Sequence, residues 1–224
     1  IKIENIKLDD RKTYSLLSSG DTIGVFQLES SGMQALMRSM QPENIEDVIA
    51  SIALYRPGPL SSGMDKSFVQ CKADESKIEY LDPRLEKILG TTYGSMVYQE
   101  QVLQVAQDLA GYSLGEADLL RRAMGKKKVK EMQKQKIRFV EGFCKMGDFC
   151  HTSSEVVAEE IFDLMAYFAG YGFNKSHSAA YGMISYQTAW LKAHYRPEFF
   201  AALMTVESDS TDKIEILIQD CKVN

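Results

Sequence analysis

A mainly α protein, built of many helices with few short strands, is what this sequence predicts. Three observations carry the prediction. Apolar residues recur at three- and four-residue spacing along most of the chain. Cap-forming polar residues and glycines bracket those stretches. Strand-like runs are confined to residues 23–26 and 95–98.

The elements follow in order. Met33, Leu36, Met37 and Met40 mark a helix capped by Ser30 or Ser31. Before it, Asp9 and Asp10 in a polar N-terminal stretch have the look of a helix cap. Pro42 suits the first position of the next helix, whose apolar face is Ile45, Val48, Ile49 and Ile52. Residues 56–63 then hold two prolines and two glycines, a cluster that cannot continue a helix. Residues 61–77 read as a surface loop. Asp82 and Pro83 open a short helix through Leu89, broken at Tyr93 and Gly94. Val102, Val105, Ala106 and Leu109 form another, ended by Gly111.

Ser113 and Glu116 have capping-box spacing and open a helix that carries Arg121 and Arg122 and stops at Gly125. A lysine-rich helix follows, with Val129, Met132, Val140 and Phe143 apolar and an end near Gly147. Thr152 and Glu155 repeat the capping-box spacing. Val157, Ile161, Leu164, Met165 and Phe168 make an amphipathic stripe. Residues 170–175 are a loop, and Ser176 caps a helix through Ala180, Met183, Ile184, Trp190 and Leu191. Pro197 opens one more, and Ile214, Leu217, Ile218 and Cys221 mark the last. The whole reads as one α domain.

Composition narrows the function. Of 224 residues, 45% are hydrophobic and 25% charged, as in ordinary globular proteins. No run approaches the ~18 apolar residues of a membrane span, so no membrane partner is expected. The start at Ile1, Lys2, Ile3 and Glu4 lacks an initiator Met and an apolar signal segment. A cytoplasmic location, and a piece cut from a longer chain, are the expectations. Cys71, Cys144, Cys150 and Cys221 have no CxxC spacing, and Cys144, Cys150 and His151 do not complete a zinc pattern. Reduced thiols are the default.

Charge is unevenly placed. Between Arg121 and Arg138 stand nine Lys or Arg and one acid, Glu131. That stretch carries +8 within a chain of net charge -5. A cationic stripe on an acidic protein points to a polyanion, against the alternative of a solvated helix face. Arginine offers a planar fork of donors suited to phosphate. The competing role for Arg121 and Arg122 is salt bridging to Glu116 and Asp118 at a helix C-terminus.

The run Gly170, Tyr171, Gly172, Phe173, Asn174, Lys175, Ser176, His177 places aromatics and basic residues at a helix N-terminus, where anions and bases can be held. It serves equally as an interhelical turn. Arg56 before Pro57 reads as a rigid, exposed arginine. Tyr93 and Gly94, with Tyr98, Gln99, Glu100 and Gln101 entering a helix, read as packing and turn chemistry, and Glu29 as a first-turn helix acid. The chain has no P-loop, GxSxG or HExxH motif and no paired aspartates of the kind that hold two metal ions. No catalytic residue is assigned to it.

Taken together, the runs at residues 24–30, 53–60, 92–94, 98–101, 110–128, 168–177 and 185–195 resemble, in order, the alpha subunit of bacterial DNA polymerase III. That is the C family of replicative polymerases, of the DnaE type. The resemblance covers nearly the whole chain and implies the fingers domain of a DNA-directed DNA polymerase. Residues 1–22 would be the linker from the palm and 207–224 the start of the following helical region. It implies that Arg121, Arg122, Lys126, Lys127, Lys175 and His177 bind the incoming nucleotide, and that Lys128, Lys130 and Arg56 contact DNA.

Magnesium would be bound by palm aspartates outside this chain, leaving the fragment alone inactive. The implied partners are primer–template DNA, deoxynucleoside triphosphates, a sliding clamp and other replicase subunits. Arg196 before Pro197 departs from the family pattern and concerns only that helix start. The alternative reading is a non-enzymatic helical module that binds nucleic acid through the basic stripe.

Overall fold

The computed structural model describes residues 1–126, 129–147 and 152–223. It contains thirteen α-helices among those residues. They are α1 (Arg11–Ser19), α2 (Ser31–Met40), α3 (Ile45–Leu54), α4 (Pro57–Ser62), α5 (Met64–Ala73), α6 (Arg84–Leu89), α7 (Gln99–Ala110), α8 (Leu114–Gly125), α9 (Val129–Met146), α10 (Thr152–Ala169), α11 (Lys175–His194), α12 (Arg196–Val206) and α13 (Thr211–Val223). The mainly α expectation holds. The two expected strands do not form. Among the described residues the only β feature is an isolated bridge between Tyr98 and Phe173.

The chain divides into two compact units, one of residues 1–55 with 176–224, the other of residues 56–175. In the first unit α1 is capped by Asp10, which accepts from the Thr13 N–H at 2.9 Å. Ser30 caps α2, whose Met33, Leu36, Met37 and Met40 are buried as their spacing predicts. α3 starts at Ile45 rather than at Pro42, because Asn44 caps it, its side-chain oxygen accepting the Asp47 N–H at 3.0 Å. Residues 23–26 form consecutive tight turns: Thr22 accepts from Val25, Val25 accepts from Leu28, and Gly24 and Gln27 take positive φ. Gly24 supplies that φ without strain. α11 then pins the loop, with Ser185 Oγ donating to Phe26 O and Phe26 N–H to Thr188 Oγ1.

At the centre of this unit Lys192 is completely buried. Its Nζ lies 2.7 Å from Asp21 and 3.1 Å from Asp220 and donates to Ile23 O at 2.9 Å. Arg196 bridges the same two aspartates at 2.7 and 3.0 Å. Two cations and two carboxylates thus balance, and the quartet ties α11, α12 and α13 to the 21–23 turn. A buried charge is tolerated only when paired in this way.

The second unit is packed on the apolar faces of α6 to α10. Phe139 meets Tyr112, Phe143 and Phe162 at ring separations of 6.4, 6.3 and 5.7 Å. Gly142 lets α9 approach the C-terminal end of α7, since a Cβ there would strike the Ala110 carbonyl.

Four expectations change here. The Pro-Gly cluster interrupts the chain but itself forms α4, with Pro57 and Pro59 inside the first turn. The first four N–H groups of a helix have no internal partner, so proline costs no bond there. Residues 61–77, expected as a loop, contain α5, anchored by buried Phe68 against Tyr93. In α10 the buried stripe is Ala158, Ile161, Phe162, Met165 and Phe168, while Leu164 is exposed. The Thr152 side chain, and with it the second capping box, lies outside the described residues, as do Cys150 and His151. α11 opens at Lys175, one residue before the expected cap Ser176.

Replacing Lys192 by Met leaves the two aspartates with Arg196 alone. The expected loss is about 3–5 kcal/mol of stability, measured by denaturant unfolding of this chain. Unfolding within about 1 kcal/mol of the parent would contradict the quartet's role. Burial alone would raise the Asp21 pKa, but hydrogen bonds and charge from Arg196 and Lys192 hold it below the ordinary 3.8. Its contribution is therefore complete above that value and is lost as pH falls beneath it.

Candidate phosphate-binding site

α8 is built by its ends and its inner face. Ser113 and Glu116 form the capping box: Glu116 accepts from the Ser113 N–H at 2.8 Å and from its hydroxyl at 2.7 Å. Ala117, Leu120 and Met124 face the core. That register turns Asp118 and Arg122 outward, with Arg121 beside them.

Both arginines converge on Asp118. Arg121 Nε and Nη2 donate to Asp118 Oδ1 at 3.1 and 2.8 Å, and Arg122 Nε lies 2.8 Å from Oδ2. The Asp118 carboxyl is held below its usual range, chiefly by the Arg121 hydrogen bonds and then by the charge of Arg122. The Arg121 side chain is 25% exposed and that of Arg122 63%, so one is set into the surface and the other projects.

α7 carries the next layer. Gln99 accepts from Arg121 Nη1 at 3.1 Å and donates to Gly172 O at 2.9 Å. Its backbone N–H donates to Phe173 O at 2.9 Å. Glu100 receives the Lys175 N–H at 3.1 and 3.0 Å on its two oxygens and Asn174 Nδ2 at 2.9 Å, which caps α11 with a carboxylate. Gln101 is buried and accepts from the Val97 and Tyr98 N–H groups at 2.7 and 2.9 Å. Gly172, Phe173 and Asn174 of the loop are thus bonded in turn to the start of α7.

The expected site residues are placed as follows. Arg121 and Arg122 are together. Lys175 is half-buried with its ammonium over the Tyr98 ring, 5.3 Å from the centroid. Lys126 is exposed and closes α8 by donating its N–H to Arg122 O. Lys130 is exposed on α9. Lys127 and Lys128 lie outside the described residues. His177 belongs to the other compact unit, where its exposed ring sits 4.2 Å from that of Tyr181.

Arg56 is not the exposed arginine expected. It is half-buried, donates to Tyr171 O at 2.6 Å and lies over the Phe173 ring at 4.4 Å. The extended backbone before Pro57 turns its side chain onto the loop, and burial lowers its pKa. Gly58 is needed beneath it, since a Cβ would strike the Tyr171 ring.

The basic stripe also divides. Lys136 pairs with Asp163 and Glu159 at 3.0 and 3.3 Å. Arg138 pairs with Glu116 at 2.6 Å and covers the Tyr112 ring. These two cations serve helix packing. Asp118, Gln99 and Glu100, which organise the site, were not among the expected binding residues. Their signal was the spacing of Asp118 one turn before the arginines and the unbroken polar run after Tyr98. No group of three or more His, Cys, Asp or Glu among the described residues is arranged to hold a metal ion. No helix of the described residues is long and apolar enough to cross a membrane.

The fold is a mainly α-helical module that gathers two guanidinium groups on one carboxylate beside an aromatic loop. The chain belongs to the bacterial DNA polymerase III alpha subunit finger domain family, whose description matches residues 1–147. It is 55% identical over 226 residues to DNA polymerase III subunit alpha of Caulobacter vibrioides. It is 52% identical over 227 residues to that of Pseudomonas aeruginosa and 51% over 226 to that of Escherichia coli. Each match covers 99% of this chain and 19% of the relative.

The Glu116 carboxyl is held down to about 2, first by the Ser113 N–H, then by the Ser113 hydroxyl and Arg138. Its folded pKa lies below the ordinary 4.5, so the cap is complete above that value and fails only as pH falls through about 2. Carboxyl NMR should show no Glu116 titration between pH 6 and 4; a midpoint near 4.5 would contradict the box.

Proposed function

We propose that this chain is the nucleotide- and template-binding part of a replicative DNA polymerase, which extends a primer 3′ end by template-directed addition of deoxynucleotides. Residues 1–22 join it to the palm and residues 207–224 lead into the next helical region. The observation that carries this reading is the arginine pair, converged on one carboxylate and tied through Gln99 to the 170–175 loop. Support comes from the family membership and from the names of the relatives, each a DNA polymerase III subunit alpha.

In this reading Arg121 and Arg122 receive the phosphates of the incoming nucleotide. Guanidinium groups stay charged at any working pH and bind phosphate oxygens in a fixed fork, so they orient the chain of phosphates and offset its charge. In the same reading Lys126, Lys127, Lys175 and His177 bind the nucleotide, and Lys128, Lys130 and Arg56 serve the DNA. Arg56 does so by holding the loop, given its half-buried position. Magnesium, bound by palm residues outside this chain, supplies further charge neutralisation. The substrates are primer–template DNA and deoxynucleoside triphosphates, and the partners of the complete polymerase are its clamp and the other replicase subunits, in the cytoplasm.

Arg121→Ala or Arg122→Ala in the full-length polymerase should each remove a charge-assisted contact worth about 1.5–3 kcal/mol. That is roughly a ten- to hundred-fold fall in kcat/KM for nucleotide, with primer–template affinity little changed. Unchanged nucleotide kinetics in both variants would overturn the assignment. This chain alone should show no template-dependent synthesis; measurable incorporation of labelled nucleotide would place catalytic groups within it.

A further inference from the structure

We infer that Asp118 is the positioning residue that pre-sets the arginine pair for phosphate, an inference that rests on the phosphate-binding role proposed for Arg121 and Arg122. Adjacent residues on an α-helix point about 100° apart, so two neighbouring arginines diverge by default. Asp118 stands three residues before one and four before the other, the two spacings that share a helix face. Its carboxylate lies between them and takes one guanidinium on each oxygen.

The edges used are informative. Asp118 engages the Nε of both arginines. Arg121 is held a second time by Gln99 through Nη1. On Arg122 the two terminal nitrogens have no partner among the described residues, and its side chain is the more exposed of the pair. Asp118 thus grips the inner edge of each fork and leaves the outer edge of Arg122 for a ligand. An unrestrained arginine must give up rotamer freedom on binding, and a restrained one has given up much of it already. The carboxylate removes one unit of charge but leaves the pair with a net +1 and a fixed geometry. Because its pKa is lowered, it stays ionised throughout the neutral range.

The test is steady-state nucleotide incorporation by the full-length polymerase on a primed template. Asp118→Asn keeps the shape and removes the charge. The expected result is a three- to ten-fold rise in nucleotide KM, with kcat within about two-fold and primer–template affinity unchanged. Asp118→Glu, which restores a carboxylate on a longer arm, should recover part of the loss. A KM that is unchanged or lower in Asp118→Asn overturns the inference, a lower value meaning that the carboxylate merely competes with phosphate. A parallel fall in kcat and in DNA affinity also overturns it, since that marks general damage to the fold. The underlying reading fails separately: if Arg121→Ala and Arg122→Ala leave kcat and KM for nucleotide unchanged, the pair does not meet phosphate and the role given to Asp118 falls with it. If they raise KM while Asp118→Asn does not, only the positioning role is lost.

Discussion

Four consecutive side chains at the entrance to α7 are the constraint on which the second unit's surface depends. Tyr98 lies under the Lys175 ammonium, Gln99 joins Arg121 to Gly172, Glu100 caps α11, and Gln101 turns inward to close α7's own N-terminus. Each has a different direction because successive helical residues point about 100° apart. One short run therefore fixes a loop, a helix start and an arginine at once. A change in Tyr98, Gln99 or Glu100 would disturb partners 22 to 77 residues away in sequence, and a change in Gln101 partners 3 to 13 residues away. The geometry of the phosphate-binding candidates is consequently a property of hydrogen bonds among neutral amides and one carboxylate as much as of the cations themselves.

Electrostatics then separates cations of similar appearance. Lys136 and Arg138 have acidic neighbours across helix contacts, and Arg138 also covers an aromatic face. Lys126, Lys130 and Lys134 are exposed. The arginine pair stands between these classes, both members partnered by Asp118 and Arg121 also by Gln99, with only the outer edge of Arg122 open. The same division occurs in the first unit in stronger form, where Lys192 is spent entirely on a buried quartet. A positive charge on this chain is thus no guide to ligand contact until its partners are known.

Helix boundaries were legible wherever one residue stops or starts the hydrogen-bond ladder. Ser30, Ser113, Gly111 and the Tyr93–Gly94 break fell where expected because their chemistry is local. What was not legible depended on distant partners. Arg56 read as exposed because nothing nearby announces that Tyr171 and Phe173 will cover it. α5 read as loop because its burial rests on one residue, Phe68. Residues 23–26 have strand-forming side chains, but turns closed by local bonds and clasped by Ser185 and Thr188 take their place. The arginine pair was legible as a candidate; the carboxylate that unites it was visible only as a competing salt bridge. The structure bears out the salt bridge to Asp118 for both arginines and leaves the Arg122 side chain exposed.

The central claim is that this outer edge meets the phosphates of the incoming nucleotide. Phenylglyoxal labelling of arginines in the full-length polymerase on a primed template tests it most directly, read peptide by peptide by mass spectrometry. The account predicts that the complementary deoxynucleoside triphosphate protects Arg122 strongly and Arg121 in addition, while a mismatched nucleotide protects far less. Equal labelling of Arg122 with and without the complementary nucleotide would contradict it.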